Sequence, residues 1–429
     1  MDVALTAYRA ALDALFARTS GGWKLGLDTT RALLASLGDP HLAFPSFHVG
    51  GTNGKGSTVA TLDALLRGIG LSVGRYTSPH LVDFRERIVI DAEPVDEDAV
   101  VSFAERWMPA VERLGATFFE ATTCLAFDCF ARAGVDVAVV EVGLGGRLDA
   151  TNVITPLVAG VASIGLDHMQ YLGTTIEEIA REKAGIFKPG VPATIGGDDR
   201  SVAALLEAAA RRQGAKPVNI VRDTHRTSQI RVTSSGTGFT IEHAGTCREL
   251  ETPLIGRHQA ANTALALTML ELAGAPYAEA AARAESLLAR VFLPGRFHYW
   301  NDVIFDVAHN PAGMSVVADT LAEVRPPRPL AALLAVLGDK DWRAMMAVIA
   351  PHVDRFVLAA PPSAPIERAW SLGDARAFAS EHGWPAVAIA DFGDALDHAR
   401  QSARTTCVLG SFHTVGDAML RLQVSPLSP

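Results

Sequence analysis

The stretch SFHVGGTNGKGSTVATLDALL, residues 46–66, carries the reading on which the fold turns. An apolar run from Phe44 to Val49 enters a glycine-rich turn, Gly51-Thr52-Asn53-Gly54-Lys55-Gly56-Ser57. Beyond it Val59, Leu62, Leu65, Leu66 and Ile69 fall at helical spacing. Strand, glycine loop and helix in that order make a cradle for phosphate. Glycines let backbone N–H groups turn inward, and the helix N-terminus supplies about half a positive charge. Lys55 is expected to reach the terminal phosphates of a nucleotide triphosphate, and the hydroxyl of Ser57 or Thr58 to ligate Mg²⁺. The segment departs from the usual G-x-x-x-x-G-K-[ST] pattern because Gly56 separates lysine from hydroxyl. A plain glycine turn capped by serine is the bland alternative, and the flanking strand and helix disfavour it.

With 429 residues the chain is long enough for two domains, each with its own core. Hydrophobic residues at 49% and charged residues at 20% describe a well-folded globular protein. A net charge of −9 argues against a general nucleic-acid or membrane-surface binder, so an anionic ligand needs a locally basic pocket. Cys124, Cys129, Cys247 and Cys407 form no C-x-x-C pair, which points to reduced thiols in the cytoplasm. The first thirty residues lack the basic start and apolar core of a signal peptide. No apolar run reaches the roughly 18 residues of a membrane span. A monomer is expected, because the apolar surface is assigned to the cores.

Apolar, β-branched runs alternate with helical patterns through most of the chain. Buried strands are expected at 46–50, 135–142, 157–164, 193–195, 303–305, 333–337, 355–358, 386–390 and 406–409. Helical patterns lie at 2–17, 57–69, 96–113, 118–133, 175–187, 199–213, 258–274, 276–290, 312–324, 341–350, 371–382 and 393–403. Such alternation predicts an α/β protein whose ligands sit beyond the carboxyl ends of parallel strands. Residues 217–254 differ, with a Thr/Ser/Val-rich short alternation that reads as a small antiparallel excursion. The turn Leu293-Pro294-Gly295 marks a boundary. Residues 1–295 then form a P-loop-type, mostly parallel sheet domain, and residues 296–429 a smaller Rossmann-like α/β domain.

A second cluster of chemistry follows the strand VDVAVVEV, which ends beside Glu141 and the glycine turn 143–146. A carboxylate at a strand's carboxyl end, next to a phosphate loop, is placed to hold Mg²⁺, a hard cation that prefers oxygen. Alone, Glu141 reads equally well as an ordinary acidic residue opening a turn. Arg147, Asp149, Thr151 and Asn152 crowd the same turn. His168 ends a third strand at the same sheet edge, which raises a metal-ligand role above the usual structural one. Thr174 or Thr175 starts a helix with a capping-box glutamate. Lys183, near that helix's end, reads by pattern alone as a solvated or dipole-favoured lysine. Asp306 and His309 follow the strand 303–305, and Arg296 just past the hinge could grip a phosphate bidentately. Each alone could be a turn residue; their shared location favours function.

Taken together, these segments resemble the folylpolyglutamate synthase/dihydrofolate synthase family, ATP-dependent ligases related to the Mur ligases. The resemblance runs through HVGGTNGKGS (48–57), YTSPHLVDFRERI (76–88), EVGLGGRLDATNV (141–153), SIGLDHMQYLG (163–173), EKAGIFKPG (182–190), GRHQAANTALA (256–266), PGRFH (294–298), FDVAHNPAG (305–313) and VLGSFHTV (408–415). The phosphate loop is shared with the Mur relatives, whereas TSPHL with LGGRLDATN is more specific to the folate branch. The resemblance assigns Gly54, Lys55, Gly56 and Ser57 to ATP phosphates and the first of two Mg²⁺ ions, with Thr52, Asn53 and Thr58 beside them. It makes Glu141 and His168 magnesium ligands and Lys183 a carbamylated lysine, against the pattern-only reading. Asn262, Arg296, Asp306 and His309 would contact ATP from the linker and second domain. Thr77, Ser78, Pro79, His80, Arg147, Asp149 and Thr151 would face the pterin substrate, and Ser411 and His413 the incoming glutamate. His298 stands where relatives often carry Gln or Glu. The implied reaction joins L-glutamate to dihydropteroate, to reduced folates, or to both. A Mur-type cell-wall ligase and a nucleotide-binding switch are the competing readings.

Overall fold

The structure, a computed structural model, describes residues 3–19 and 26–427. Its larger sheet is built from β1 (Ser46–Gly50), β2 (Val73–Tyr76), β3 (Ile88–Ile90), β4 (Glu93–Pro94), β5 (Val137–Glu141), β6 (Val158–Val161), β7 (Ala193–Ile195) and β8 (Val218–Ile220). The spatial order is β4-β3-β2-β5-β1-β6-β7-β8. Neighbours from β2 to β8 pair in parallel, and β3 and β4 turn back as an antiparallel edge. Both faces are covered, which is why the central strands read as unbroken apolar runs. Successive β5 residues serve opposite faces: Val137 and Val139 pack with Val59, Leu62 and Leu265, while Ala138 and Val140 pack with Phe127 and Phe130.

That pairing sets the level of the strand ends. Val49 lies opposite Glu141, and Gly50 opposite Val161. Whatever follows β1, β5 and β6 therefore emerges at one edge of the sheet, between a strand on each side of the phosphate loop.

Antiparallel strands β9 (Arg226–Thr233), β10 (Gly236–His243) and β11 (Thr246–Thr252) form the excursion, which begins at 226 and not at 217, because 218–220 pairs in parallel with β7 as β8. The third sheet comprises β12 (His298–Trp300), β13 (Val303–Asp306), β14 (Leu330–Leu334), β15 (Arg355–Leu358), β16 (Ala386–Ala388) and β17 (Thr405–Leu409). Its order is β12-β13-β17-β14-β15-β16, with only β12 antiparallel to its neighbour. Helices again cover both faces.

Several elements differ from expectation. Strand β2 carries Gly74 and Arg75, which break its apolar pattern; a Cβ at Gly74 would stand 2.6 Å from the Phe130 ring. Helices Asp28–Ser36 and Phe412–Leu422 were not anticipated. The helix expected at 276–290 is three short pieces, Tyr277–Ala282, Ala284–Leu287 and Leu288–Arg290. The strand expected at 333–337 lies at Leu330–Leu334, because parallel pairing with β15 and β17, not hydropathy, fixes where an apolar run starts.

Close approach to backbone accounts for Gly146. A Cβ there would lie 2.7 Å from the Lys183 carbonyl and 2.9 Å from that of Glu182. The turn after β5 is thus pressed against the end of helix Ile176–Ala184. Gly146→Ala is expected to force the two apart and destabilise the larger domain by about 1–3 kcal/mol. Urea unfolding followed by far-UV circular dichroism checks this, and an unchanged midpoint would refute the packing argument.

Candidate active site

Gly54 caps helix Lys55–Gly68 in the left-handed conformation, at φ 88°, and a Cβ at this position would collide with Asn262 Oδ1. Glycine is required here on both counts. Side chains fasten the loop to the end of β6. Ser163 Oγ donates to the Asn53 carbonyl at 3.0 Å, and Thr52 Oγ1 donates to the Gly165 carbonyl at 3.1 Å. Lys55 Nζ donates to the carbonyls of Gly51 and Thr52 at 3.2 Å each.

Lys183 corrects the pattern-only reading. It is 5% exposed, and its Nζ donates to the Gly51 carbonyl at 2.9 Å, the same oxygen that Lys55 uses. Burial, reinforced by the neighbouring Lys55 charge, lowers its pKa to about 7. An amine at this position is substantially neutral at physiological pH.

Glu141 is buried, and the Ser78 N–H donates to its Oε2 at 3.2 Å. Burial pushes its carboxyl upward against the pull of Lys55, that amide, Arg296 and Arg87. His168 sits at φ 50° just ahead of the short helix Met169–Leu172. Burial lowers its pKa to about 4, although Asp167 opposes the shift, so the imidazole is neutral and able to ligate. Thr58 Oγ1 is engaged with the Gly54 carbonyl at 3.0 Å, leaving Ser57 as the hydroxyl that lines the cleft. Hydroxyl, carboxylate and neutral imidazole form a donor set that fits a divalent cation, and the desolvated Glu141 carboxylate needs a positive partner.

Asp167 joins the two domains. Its Oδ2 accepts from Asn310 Nδ2 at 3.0 Å and meets His309 Nε2 at 3.3 Å, and its Oδ1 accepts from Lys340 Nζ at 3.3 Å. Burial alone would raise its pKa; His309, His168 and Lys340 outweigh burial and hold it far below the carboxylate range. Across the hinge, Asp306 accepts from the amides of Phe297 and Ala308, both at 2.8 Å. That closes a loop around Arg296, whose guanidinium lies 5.1 Å from the Phe412 ring centroid. A Cβ on Gly56 would be 3.9 Å from Arg296 Nη2, so this cation reaches the phosphate loop from the second domain.

A cleft of about 1070 Å³ unites these groups. Its walls include Thr52 to Ser57, Ser78, Pro79, Glu141, Arg147, Asp149, His168, Lys183, Asn262, Arg296, Asp306, His309, Ser411 and His413. Four expected residues do not line it: Thr58, Thr77, His80 and Thr151. The Thr77 hydroxyl donates to the Glu86 carbonyl at 3.3 Å. Thr151 is fully buried; its hydroxyl donates to Asp149 Oδ1 and therefore accepts from His48 Nε2 at 2.9 Å, so its one proton is committed away from the cleft. His80 accepts from Arg87 Nε at 2.8 Å and thereby steers a buried cation that does face the cleft. Ser411 caps helix Phe412–Leu422, accepting from the Thr414 amide at 3.0 Å. Arg147 is mostly exposed and paired with Glu182 at 2.8 Å.

Sequence reasoning missed Asp167, Lys340, Asn310 and Arg87. Asp167 and Asn310 each adjoin a residue that was singled out; Lys340 carries no local signal.

The fold and the cleft define a two-domain α/β protein of the nucleotide-binding class, in which a glycine loop faces the second domain across one cleft. The Mur ligase middle domain matches residues 49–270, and the Mur ligase glutamate ligase domain matches residues 295–412. A dihydrofolate synthase/folylpolyglutamate synthase of Escherichia coli is 36% identical over 403 residues, covering 92% of this chain and 90% of that protein. A probable bifunctional folylpolyglutamate synthase/dihydropteroate synthase of Halobacterium salinarum is 38% identical across 76% of this chain, which spans 41% of that longer protein. Among solved structures, Mycobacterium tuberculosis folylpolyglutamate synthase complexed with ADP superposes with a TM-score of 0.90 at 33% identity, covering 99% of this chain and 100% of that one. A bifunctional folylpolyglutamate synthase/dihydrofolate synthase with Mn, AMPPNP and L-glutamate bound gives 0.81 at 34% identity, covering 97% and 98%. The chain belongs to the folylpolyglutamate synthase/dihydrofolate synthase family of Mur ligases, which are ADP-forming acid–amino-acid ligases.

Asp167→Ala removes the carboxylate that ties Asn310 and Lys340 to the first domain. Turnover is expected to fall by about 10- to 100-fold through misplacement of the second domain's groups. Steady-state kinetics test this, and wild-type kcat in the variant would remove the tethering role.

Proposed function

We propose that this enzyme uses ATP to join L-glutamate to the carboxylate of dihydropteroate and of reduced folates. One observation carries the reading: the phosphate loop, Glu141 and His168 share one sheet edge and face Arg296 and His309 across a single cleft. High-coverage relatives with folate names favour this substrate class over a cell-wall peptide.

A carboxylate is a poor electrophile, because its charge repels attack and oxide is a very poor leaving group. Transfer of the γ-phosphoryl group of ATP to it gives an acyl phosphate and ADP. The neutral amine of glutamate then attacks, and the tetrahedral intermediate expels phosphate. Lys55 from the loop and Arg296 from the second domain stabilise charge on the transferring group, while Thr52, Asn53, Gly54 and Gly56 present the loop backbone to it. A divalent cation held by Ser57, Glu141 and His168 supplies electrostatic stabilisation of the phosphates when bound. His309 and Asp306 shape the nucleotide side, and Asn262 packs against the loop glycine. Ser78, Pro79, Arg147 and Asp149 lie on the pterin side, and Ser411 and His413 on the glutamate side. Closure about the hinge excludes water from the acyl phosphate. No nucleophilic side chain is required.

Lys183 enters as a carbamate. Its neutral amine adds to CO₂ and releases one proton, which places an anionic carbamate beside the metal-competent edge. Free thiols, including the exposed Cys247, support a reducing cytoplasmic setting, and no described helix is long and apolar enough to cross a membrane. Both substrate walls come from one polypeptide, in keeping with a monomer.

Lys55→Ala is expected to abolish ligation with the fold intact; labelled-glutamate incorporation with dihydropteroate and with tetrahydrofolate reads both activities, and wild-type turnover would contradict the assignment. Lys183→Ala should lose activity that short carboxylic acids partly restore. Because the amine's pKa is lowered to about 7, the reactive neutral form grows as pH rises through that value. The ¹³C carbamate signal in ¹³C-bicarbonate should rise over the same interval and vanish in Lys183→Ala. A signal unaltered by that substitution would reject the carbamate.

A further inference from the structure

Outside the lining of the cleft, His225, His243 and Glu271 bring one ligand atom each to within 4.8 Å of one another. They come from three elements: the end of the short helix Val221–Thr224, the end of β10, and helix His258–Ala273. Glu271 Oε2 lies 2.8 Å from His225 Nε2 and 3.3 Å from His243 Nε2. The two imidazoles stack, with centroids 3.9 Å apart and planes at 12°.

Hydrogen bonds on the far side of each ring fix its tautomer. His243 Nδ1 lies 2.9 Å from the Thr224 carbonyl, which can only accept, so Nδ1 carries the proton. The single hydroxyl proton of Thr224 is directed to Asn219 Oδ1 at 2.7 Å, so His225 Nδ1, at 3.1 Å, donates to that hydroxyl oxygen. Both Nε2 atoms therefore present lone pairs to a carboxylate oxygen. With both rings neutral, three lone pairs face one another, and either a proton on one Nε2 or a metal ion fills the gap; a single proton serves one nitrogen, whereas a metal ion serves both. Protonating both rings instead would stack two like charges at 3.9 Å against one carboxylate.

We infer that His225, His243 and Glu271 form a binding site for a borderline transition-metal ion, of which Zn²⁺ is the best fit. Two imidazoles and a carboxylate suit that class of ion, and ring nitrogens held by outer hydrogen bonds are the usual arrangement of metal-bound histidine. Tetrahedral Zn²⁺, with bonds of about 2.0–2.2 Å, separates its ligands by about 3.3 Å, so the His225–Glu271 pair opens by about half an ångström, and the partly exposed His243 ring turns out of the stack so that both lone pairs meet at the ion. His225 is 3% exposed, whereas Glu271 and His243 are 31% and 41% exposed, which leaves an entry path and a position for a fourth ligand such as water. The ion pins the antiparallel excursion to the far end of the helix that presents Asn262 to the phosphate loop. It is a structural site, independent of the ligase assignment.

The test uses the full chain, stripped with chelator and then saturated with Mg²⁺ and ADP so that the catalytic cleft is filled. Zn²⁺ is added, excess is removed by gel filtration, and metal content is measured. Wild type should retain one equivalent of Zn²⁺ more than His243→Ala and Glu271→Gln, with binding at least about 100-fold weaker in either variant. Both variants should keep wild-type ligase turnover with Mg²⁺. In crystals of the wild-type protein soaked in Zn²⁺, anomalous scattering at the zinc edge should place a peak among the three side chains, a readout that does not depend on the variants folding. Equal zinc content in wild type and variants, or no peak there, would overturn the site.

Discussion

Parallel pairing of β1 with β5 on one side and β6 on the other is the constraint from which the active site follows. Because these strands are buried on both faces, their apolar residues fix the register, and a one-residue slip would expose an entire face. With Val49 level with Glu141 and Gly50 level with Val161, the three following turns open at one height. Glycine then lets the first turn reach φ 88° at Gly54, under an asparagine from a helix some two hundred residues later in the chain. The chemistry at this edge is a consequence of sheet geometry.

Electrostatics in the cleft run against the net charge of −9. Eight lysines and arginines line it against seven carboxylates, so the acidic excess of the chain is absent there, and Lys55, Arg87 and Arg296 are the cations that face an anionic ligand. Desolvation is the largest single influence on Glu141, His168 and Lys183, raising the acid and lowering the bases. At Asp167 burial is again the largest single influence, but His309, His168 and Lys340 together outweigh it. The contrast divides the site: burial governs Glu141, His168 and Lys183, while charge pairing governs the carboxylate that joins the domains. Exposed pairs such as Arg211–Glu207 and Arg283–Glu279 contribute at most about 1 kcal/mol each and decide none of this.

Several polar residues inside the family motifs support the site without facing it. Thr151, Asp149 and His48 form a buried chain that holds the turn after β5, and burial lowers the His48 pKa to about 3, keeping it neutral. His80 orients Arg87 in the same manner. Motif membership and ligand contact are therefore separate properties in this chain, and hydrogen-bond capacity distinguishes them.

Most of the alternation of strands and helices, the phosphate loop, Glu141 and His168 could be read from residue order, because an apolar run broken by glycine and a polar group leaves its mark within a few positions. Gly74 hid β2, since the reason for that glycine is the Phe130 ring, 56 residues away in the chain. The burial of Lys183 was equally hidden: its helical pattern matches a surface lysine, and only contact with Gly146 and the loop carbonyl of Gly51 removes it from water. Asp167 meets Lys340 across 173 positions, and Glu271 meets His225 across 46. Local sequence determines which backbone forms and which side chains leave its ends. Desolvation and pairing depend on what arrives from elsewhere in the chain, and those were decided by tertiary packing alone.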